Sequence, residues 1–237
     1  MKVVLLRVGI DSGSGGMQGP LFEDGTFEFV CIPDGFGIDE RTYGNTIGRH
    51  GRPLVEYFPK SRQSKMAGQP IHIDPDFETF TYGDPTRPKA RLRTLQSGDL
   101  LVFYAGLEGW GFDAPPALYI VGYFEVQVAG MADHFNEEER IRFFSGNFHV
   151  RQKAVFEQQK SELVLVKGSQ NSRLLRKASL ISTMGVDRAG TPIKVLAPEM
   201  KKIFGEFTET ASFQRSPPRW VDPLFVHIAV EYVKSLE

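Results

Sequence analysis

Period-two alternation and short apolar runs dominate the first half of the chain, and helical spacing appears mainly beyond residue 130. Residues 2–10 read as a buried first strand that Gly13-Ser14-Gly15-Gly16 breaks into a flexible turn. Residues 26–32 alternate around Phe27 and Phe29 and stop at Pro33-Asp34-Gly35, which predicts a second strand. Residues 33–71 are rich in Gly, Pro, Arg and Lys and have little periodicity. A connection that long is uncommon unless it covers a site, and only residues 54–58 within it read as an edge strand. The clearest β signal comes after the turn at Ser97-Gly98-Asp99. Residues 100–107 form one strand, residues 108–116 a Gly- and Pro-rich link, and residues 117–128 the return strand of a long hairpin or barrel corner. Residues 162–167 read as a further strand.

The helical signals come from caps as much as from spacing. Asn136 and Glu139 form a capping box ahead of Ile141, Phe143 and Phe144. Ser172 as a cap predicts a short basic helix over 173–178. Pro198 and Gly205 bracket another helix. Asp222 caps and Pro223 opens a C-terminal helix whose Leu224, Ile228, Tyr232 and Leu236 share one face. There is no internal repeat. The class expected is α+β: a curled, mostly antiparallel sheet with helices added mainly in the C-terminal half. Residues 1–237 would form one domain with a loop-rich insertion at about 33–71.

Composition narrows the partners. The 237 residues are 41% apolar and 24% charged, with a formal charge of −1. No polycationic character is present, so a nucleic-acid contact has to come from a local basic face. A lone cysteine, Cys31, excludes a disulfide framework and a cysteine-based zinc site. Its apolar surroundings make it a buried, inert thiol. No apolar run approaches the ~18 residues needed to span a bilayer. A soluble, cytoplasmic protein without membrane partners is expected.

Four features bear on chemistry. The glycine loop lacks the third glycine of a dinucleotide fingerprint, since Gln18 stands there, and the next element, at 26–32, is β-patterned. It reads as a mobile turn whose serine hydroxyls and amides remain able to meet a phosphate. In residues 72–78 strict alternation would bring His72, Asp74, Asp76 and Glu78 to one face, a candidate metal or acid–base set. Pro75 interrupts that alternation, and His50, His134, His149 and His227 offer no ligand spacing. The segment therefore reads as a solvated edge, and neither metal nor cofactor is assigned. Aromatics crowd the hairpin, where core packing is the default for each ring. Trp110 stands apart in its Gly-Trp-Gly link, where an exposed ring is costly unless it has a partner. Basic segments flank it at 87–93 and from Arg151 to Lys177.

The hairpin Gly98-Asp99-Leu100-Leu101-Val102-Phe103-Tyr104, returning through Tyr119-Ile120-Val121-Gly122-Tyr123-Phe124, resembles the core of PUA-like domains such as the ASCH, EVE and YTH families. The whole chain more closely resembles the third nucleotide-modification-associated domain family. The likeness runs through Arg7–Asp11 with Gly19-Pro20-Leu21-Phe22, Phe27-Glu28-Phe29, His72-Ile73-Asp74-Pro75-Asp76-Phe77, Thr81-Tyr82-Gly83-Asp84, and Lys167-Gly168-Ser169 with Ser172-Arg173-Leu174-Leu175. That resemblance implies a PUA-like barrel and a role beside systems that make or read modified nucleotides.

The function expected is a module that recognises a modified nucleotide or base in nucleic acid. Its partners would be that nucleic acid and other subunits of a modification or restriction system. The nucleotide-contacting set is Asp11, Ser12, His72, Asp74, Tyr82 and Asp84, with Tyr104 and Trp110 stacking on the base. Arg87, Lys167, Arg173 and Lys177 would meet phosphates. No residue matches a catalytic motif. The competing expectation is an enzyme on modified nucleotides that uses Asp11, His72, Asp74 and Asp76 around a divalent ion. A third is an interaction subunit marked by an exposed apolar patch.

Overall fold

The computed structural model describes residues 1–37, 39–207, 213 and 217–237. Strand β1 (Val3–Arg7) buries Val3, Val4, Leu5 and Leu6 alike, the pattern of a strand covered on both faces. Short strands β2 (Gly19–Leu21), β3 (Ile32–Pro33) and β4 (Ile71–His72) come next, with helix α1 (Lys60–Ala67) between the last two. Beyond them lie β5 (Thr81–Asp84), β6 (Leu100–Gly109) and β7 (Ala117–Met131). Helices α2 (Glu137–Phe144), α3 (Phe148–Arg151) and α4 (Lys153–Gln159) lead to β8 (Val164–Gly168) and β9 (Arg173–Leu180). The hairpin β10 (Ser182–Val186) and β11 (Pro192–Leu196), helix α5 (Pro198–Phe204), β12 (Arg219–Trp220) and helix α6 (Val226–Ser235) complete the chain.

One sheet runs β12-β1-β6-β7-β8-β5, with β2 also on β6 and β9 also on β7. The pairings are antiparallel except β1 and β2 with β6. The expected hairpin is present as β6 and β7, with a bulge at Phe103/Tyr104. Bulges raise local twist, and the long β7 pairs with β6 and β9 near its start and with β8 near its end. Among the described residues the sheet does not close into the expected barrel. The α+β class and mostly antiparallel sheet stand. No helix among these residues is long and apolar enough to cross a membrane.

Several local expectations are corrected. Residues 26–32 form only isolated bridges, Leu21 with Phe27 and Thr26 with Lys177, before β3. Residues 54–57 are a 3-10 turn rather than an edge strand. The basic stretch 173–178 is strand β9 and not a helix. Ser172 turns its hydroxyl to the sheet, where Oγ accepts from Glu125 N at 3.1 Å, so it serves β7 instead of capping. In α6 the buried stripe passes through Ala229 and Val233, while Leu224 is 85% exposed and Ile228 48%. Asp222 does accept from Leu224 N at 2.9 Å, but residues 223–225 wind as a 3-10 turn. A tighter turn rotates the face beyond it. The capping box of α2 forms as read, Asn136 and Glu139 exchanging 2.9 Å bonds.

The insertion at 33–71 has a core of its own. Tyr43, Leu54, Tyr57, Phe58, Met66 and Ile71 pack with Ile10, Val30 and Cys31 beside the main sheet core. Tyr43 is fully buried and its hydroxyl donates to Cys31 O at 2.7 Å. Burying these rings offsets the ordering entropy of a segment with little regular structure.

Candidate functional site

A cleft of about 590 Å³ opens where β1 ends, β4 begins the turn into residues 73–80, and the edge strand β5 meets α3 and α4. Its size suits a small organic ligand. Arg7 and Asp11 line it from the end of β1, His72 and Asp74 from the β4 turn. Tyr82, Gly83, Asp84 and Lys89 line it from β5 and the 3-10 stretch Arg87–Thr94, and His149 and Gln159 from the helices.

The floor is an imidazole–carboxylate cluster. Asp74 has a side chain only 3% exposed, and both its oxygens accept from Gly83 N, at 3.0 and 3.1 Å. His149 Nε2 lies 3.4 Å from Asp74 Oδ2, and His72 Nε2 3.9 Å from the same oxygen. Asn147 caps α3 by accepting from His149 N at 3.1 Å, which fixes the ring's origin. His149 Nδ1 then meets Gln159 Oε1 at 2.7 Å. A Cβ on Gly83 would stand 3.0 Å from both His149 and Asn147, so this close approach needs glycine. Burial works against a charged His149. The hydrogen bond and charge of Asp74, with Gln159 and Asp84 beyond, outweigh burial and raise its pKa above the ordinary imidazole value. The His72 ring rests on Phe148, with ring centres 4.0 Å apart.

Two cations at the cleft are braced by carboxylates. Arg7 reaches Asp11 at 3.4 Å, and the Asp11 carboxylate is held by Gly13 N and Ser14 N at 2.8 and 2.7 Å. Lys89 lies 2.7 Å from Asp84 Oδ2, which also accepts from the Tyr82 hydroxyl at 3.0 Å. Thr86 holds the other oxygen through its amide and its hydroxyl.

Of the twelve residues expected from sequence, Asp11, His72, Asp74, Tyr82 and Asp84 meet in this cleft. Ser12 faces a separate groove of about 480 Å³ on the other side of the glycine loop, with Arg62 and Lys65. Tyr104 is 0% exposed: its ring stacks on Phe213 and its hydroxyl donates to Phe213 O at 3.0 Å, so it has no face for a base. Tyr104→Phe is expected to cost about 1 kcal/mol in denaturant unfolding, the worth of one buried hydrogen bond, with ligand binding unchanged. Trp110 is half-buried against Phe22 and Tyr57, with ring centres at 5.6 and 5.4 Å, and lines a groove other than the cleft. The partner its ring needs is intramolecular, including Arg52 at 5.1 Å from the ring centre.

The expected phosphate contacts are dispersed. Arg87 is exposed outside the cleft, and it is Lys89 of the same stretch that lines it. Lys167 donates to Thr79 O, and burial lowers its pKa while Asp76 opposes the shift. Arg173 sits over Tyr123, 5.7 Å from the ring centre, and Lys177 bridges to Thr26. Asp76 leaves the set too: it accepts from Glu78 N, Thr79 N and the Thr79 hydroxyl and shapes its own loop.

His149 shows no ligand spacing in the sequence, and the structure corrects that reading, since folding brings it to Asp74 across 75 residues. Cys31 is buried, and burial first, then the Asp74 charge, push its thiol up to about 12. It is expected to react with iodoacetamide only after denaturation, which mass spectrometry of native and unfolded protein would check.

The fold and cleft thus define an α+β protein with a polar, histidine- and aspartate-floored hollow of ligand size. More specifically, the chain belongs to the nucleotide modification associated domain 3 family, whose family model matches residues 2–234. No curated protein and no solved structure matches it significantly.

Proposed function

We propose that the cleft receives a single nucleotide of a nucleic acid, with the base over the His72–Asp74–His149 floor. The observation that carries this reading is the meeting of Arg7, Asp11, Tyr82, Asp84 and Lys89 at one 590 Å³ hollow, in a chain of a nucleotide-modification family. Lys89 has protons to spare beyond its Asp84 bond and donates to acceptor atoms of the base or sugar. Phe36, on the rim and 43% exposed, supplies the apolar face that Tyr104 and Trp110 do not. The phosphates run over the glycine loop towards Arg62 and Lys65. This replaces the aromatic wall inferred from sequence with a polar pocket. Subunits of a modification system as partners and a cytoplasmic location go with this reading.

The test compares oligonucleotides with modified and unmodified bases on metal-free protein. Lys89→Ala is expected to weaken binding of the preferred base by roughly 10-fold or more, the loss of one charged hydrogen bond. Arg87→Ala, outside the cleft, should change affinity slightly and only through its salt dependence. Equal losses from the two variants, or no binding of any nucleotide, would refute the reading. A second reading, an enzyme acting on modified nucleotides, is favoured by the convergence of two imidazoles with a carboxylate beneath the same base position.

A further inference from the structure

One ligand atom from each of His72, Asp74 and His149 lies within 4.8 Å of the others. Two of the three separations are 3.4 and 3.9 Å. An ion with bonds of about 2.0–2.2 Å and near-tetrahedral angles spaces its donors roughly 3.4 Å apart, so small side-chain rotations complete the set. We propose that His72 Nε2, Asp74 Oδ2 and His149 Nε2 bind one divalent first-row transition-metal ion at the cleft floor.

Three observations support this. An amide oxygen only accepts, so the 2.7 Å contact with Gln159 Oε1 places the proton of His149 on Nδ1. His149 Nε2 is thereby the ring nitrogen that faces Asp74 Oδ2 3.4 Å away, and a divalent ion that displaces its proton would be shared by the two groups without rearrangement of the Gln159 contact. The Gly83 amide meanwhile holds the carboxylate in place through both oxygens. The donor chemistry selects the ion: two imidazoles and one carboxylate suit zinc, iron, cobalt, nickel or manganese rather than calcium, which takes six to eight oxygens. Three protein donors facing an open cleft leave coordination positions for water or a ligand, unlike the closed four-donor sites that only stabilise a fold. The inference stands on donor geometry and does not depend on which nucleotide the cleft takes.

The full-length protein, stripped with a chelator, is titrated with Co²⁺ and Zn²⁺ in the absence of nucleotide, by calorimetry and visible absorption. One equivalent is expected. His72→Ala should weaken binding at least 100-fold, and Gln159→Leu, which acts only by positioning His149, 10- to 100-fold with the stoichiometry kept. Trp110→Ala should bind as the wild type does. Circular dichroism reports the folding of each variant. Pulsed EPR of the wild-type protein with one equivalent of Cu²⁺ should show two coordinated imidazoles, a result independent of any variant. Affinity equal in wild type and His72→Ala, or Cu²⁺ bound without imidazole nitrogen, overturns the proposal. Because no nucleotide is present, failure here leaves the base-binding reading standing, and failure of oligonucleotide binding leaves the metal site standing.

Discussion

Asp74→Ala is expected to lower the free energy of unfolding by on the order of 3 kcal/mol or more and to remove metal binding. The side chain is almost wholly buried and serves three groups at once: the Gly83 amide, His149 and His72. Truncation leaves the amide without its acceptor and strips His149 of the charge that raises its pKa. The size of the loss reflects the orphaned partners more than any net worth of the pair. Asp74→Asn separates the two effects, since its amide oxygen still accepts from Gly83 N but carries no charge. It should recover most of the stability and none of the metal affinity. Urea unfolding reads the first, with the midpoint falling and the slope unchanged, and Co²⁺ titration the second. If Asp74→Asn bound Co²⁺ as tightly as the wild type, the carboxylate would not be a ligand.

Why the site is only partly legible in the sequence is itself a physical matter. Period-two alternation singles out His72 and Asp74, yet no strand carries that alternation past His72. Beyond it the chain turns through a cis Asp74–Pro75 peptide, and Asp76 is drawn into hydrogen bonds with Glu78 and Thr79. The alternation therefore names two correct residues and two, Asp76 and Glu78, that line a different groove. His149 and Gln159 carry no local signal, because their value comes from docking α3 and α4 against β5, and the cap that sets His149 is the ordinary residue Asn147. Lys89 and Arg87 are indistinguishable in a basic run, and the phase of the 3-10 stretch decides which one faces the cleft. The hairpin is legible because the apolar run of β6 and the turn before it agree. Asp99 accepts from Gln96 N and Lys2 N, at 2.9 and 2.7 Å, so the turn also anchors the first strand. Strand β9 is not legible, because a short basic stretch behind a serine fits a helix start as well as a strand, and pairing with β7 decides between them.

Phe103→Ala is expected to cost about 3–5 kcal/mol, the range for truncating a fully buried Phe. The ring sits mid-way along β6 among Phe124, Phe77 and Tyr82, with ring centres 4.7, 5.5 and 5.9 Å away. Phe77 in turn covers Gly122, where a Cβ would stand only 2.6 Å from its ring, so this neighbour is itself closely packed against β7. The cavity would persist, and persistence makes such truncations costly. The same ring supports Tyr82, whose hydroxyl holds Asp84 and through it Lys89. Phe103→Ala should therefore weaken base binding through a loosened Lys89. Metal affinity should remain close to that of the wild type, because Asp74, His149 and Gln159 are held by α3, α4 and the β5 backbone rather than by this cluster. Asp74→Asn and Phe103→Ala thus have opposite signatures: one keeps the fold and loses the ion, the other gives up stability and keeps it. Thermal unfolding together with Co²⁺ titration of both variants measures the contrast, and equal losses in both quantities would mean that the cleft floor and the aromatic core are one cooperative unit.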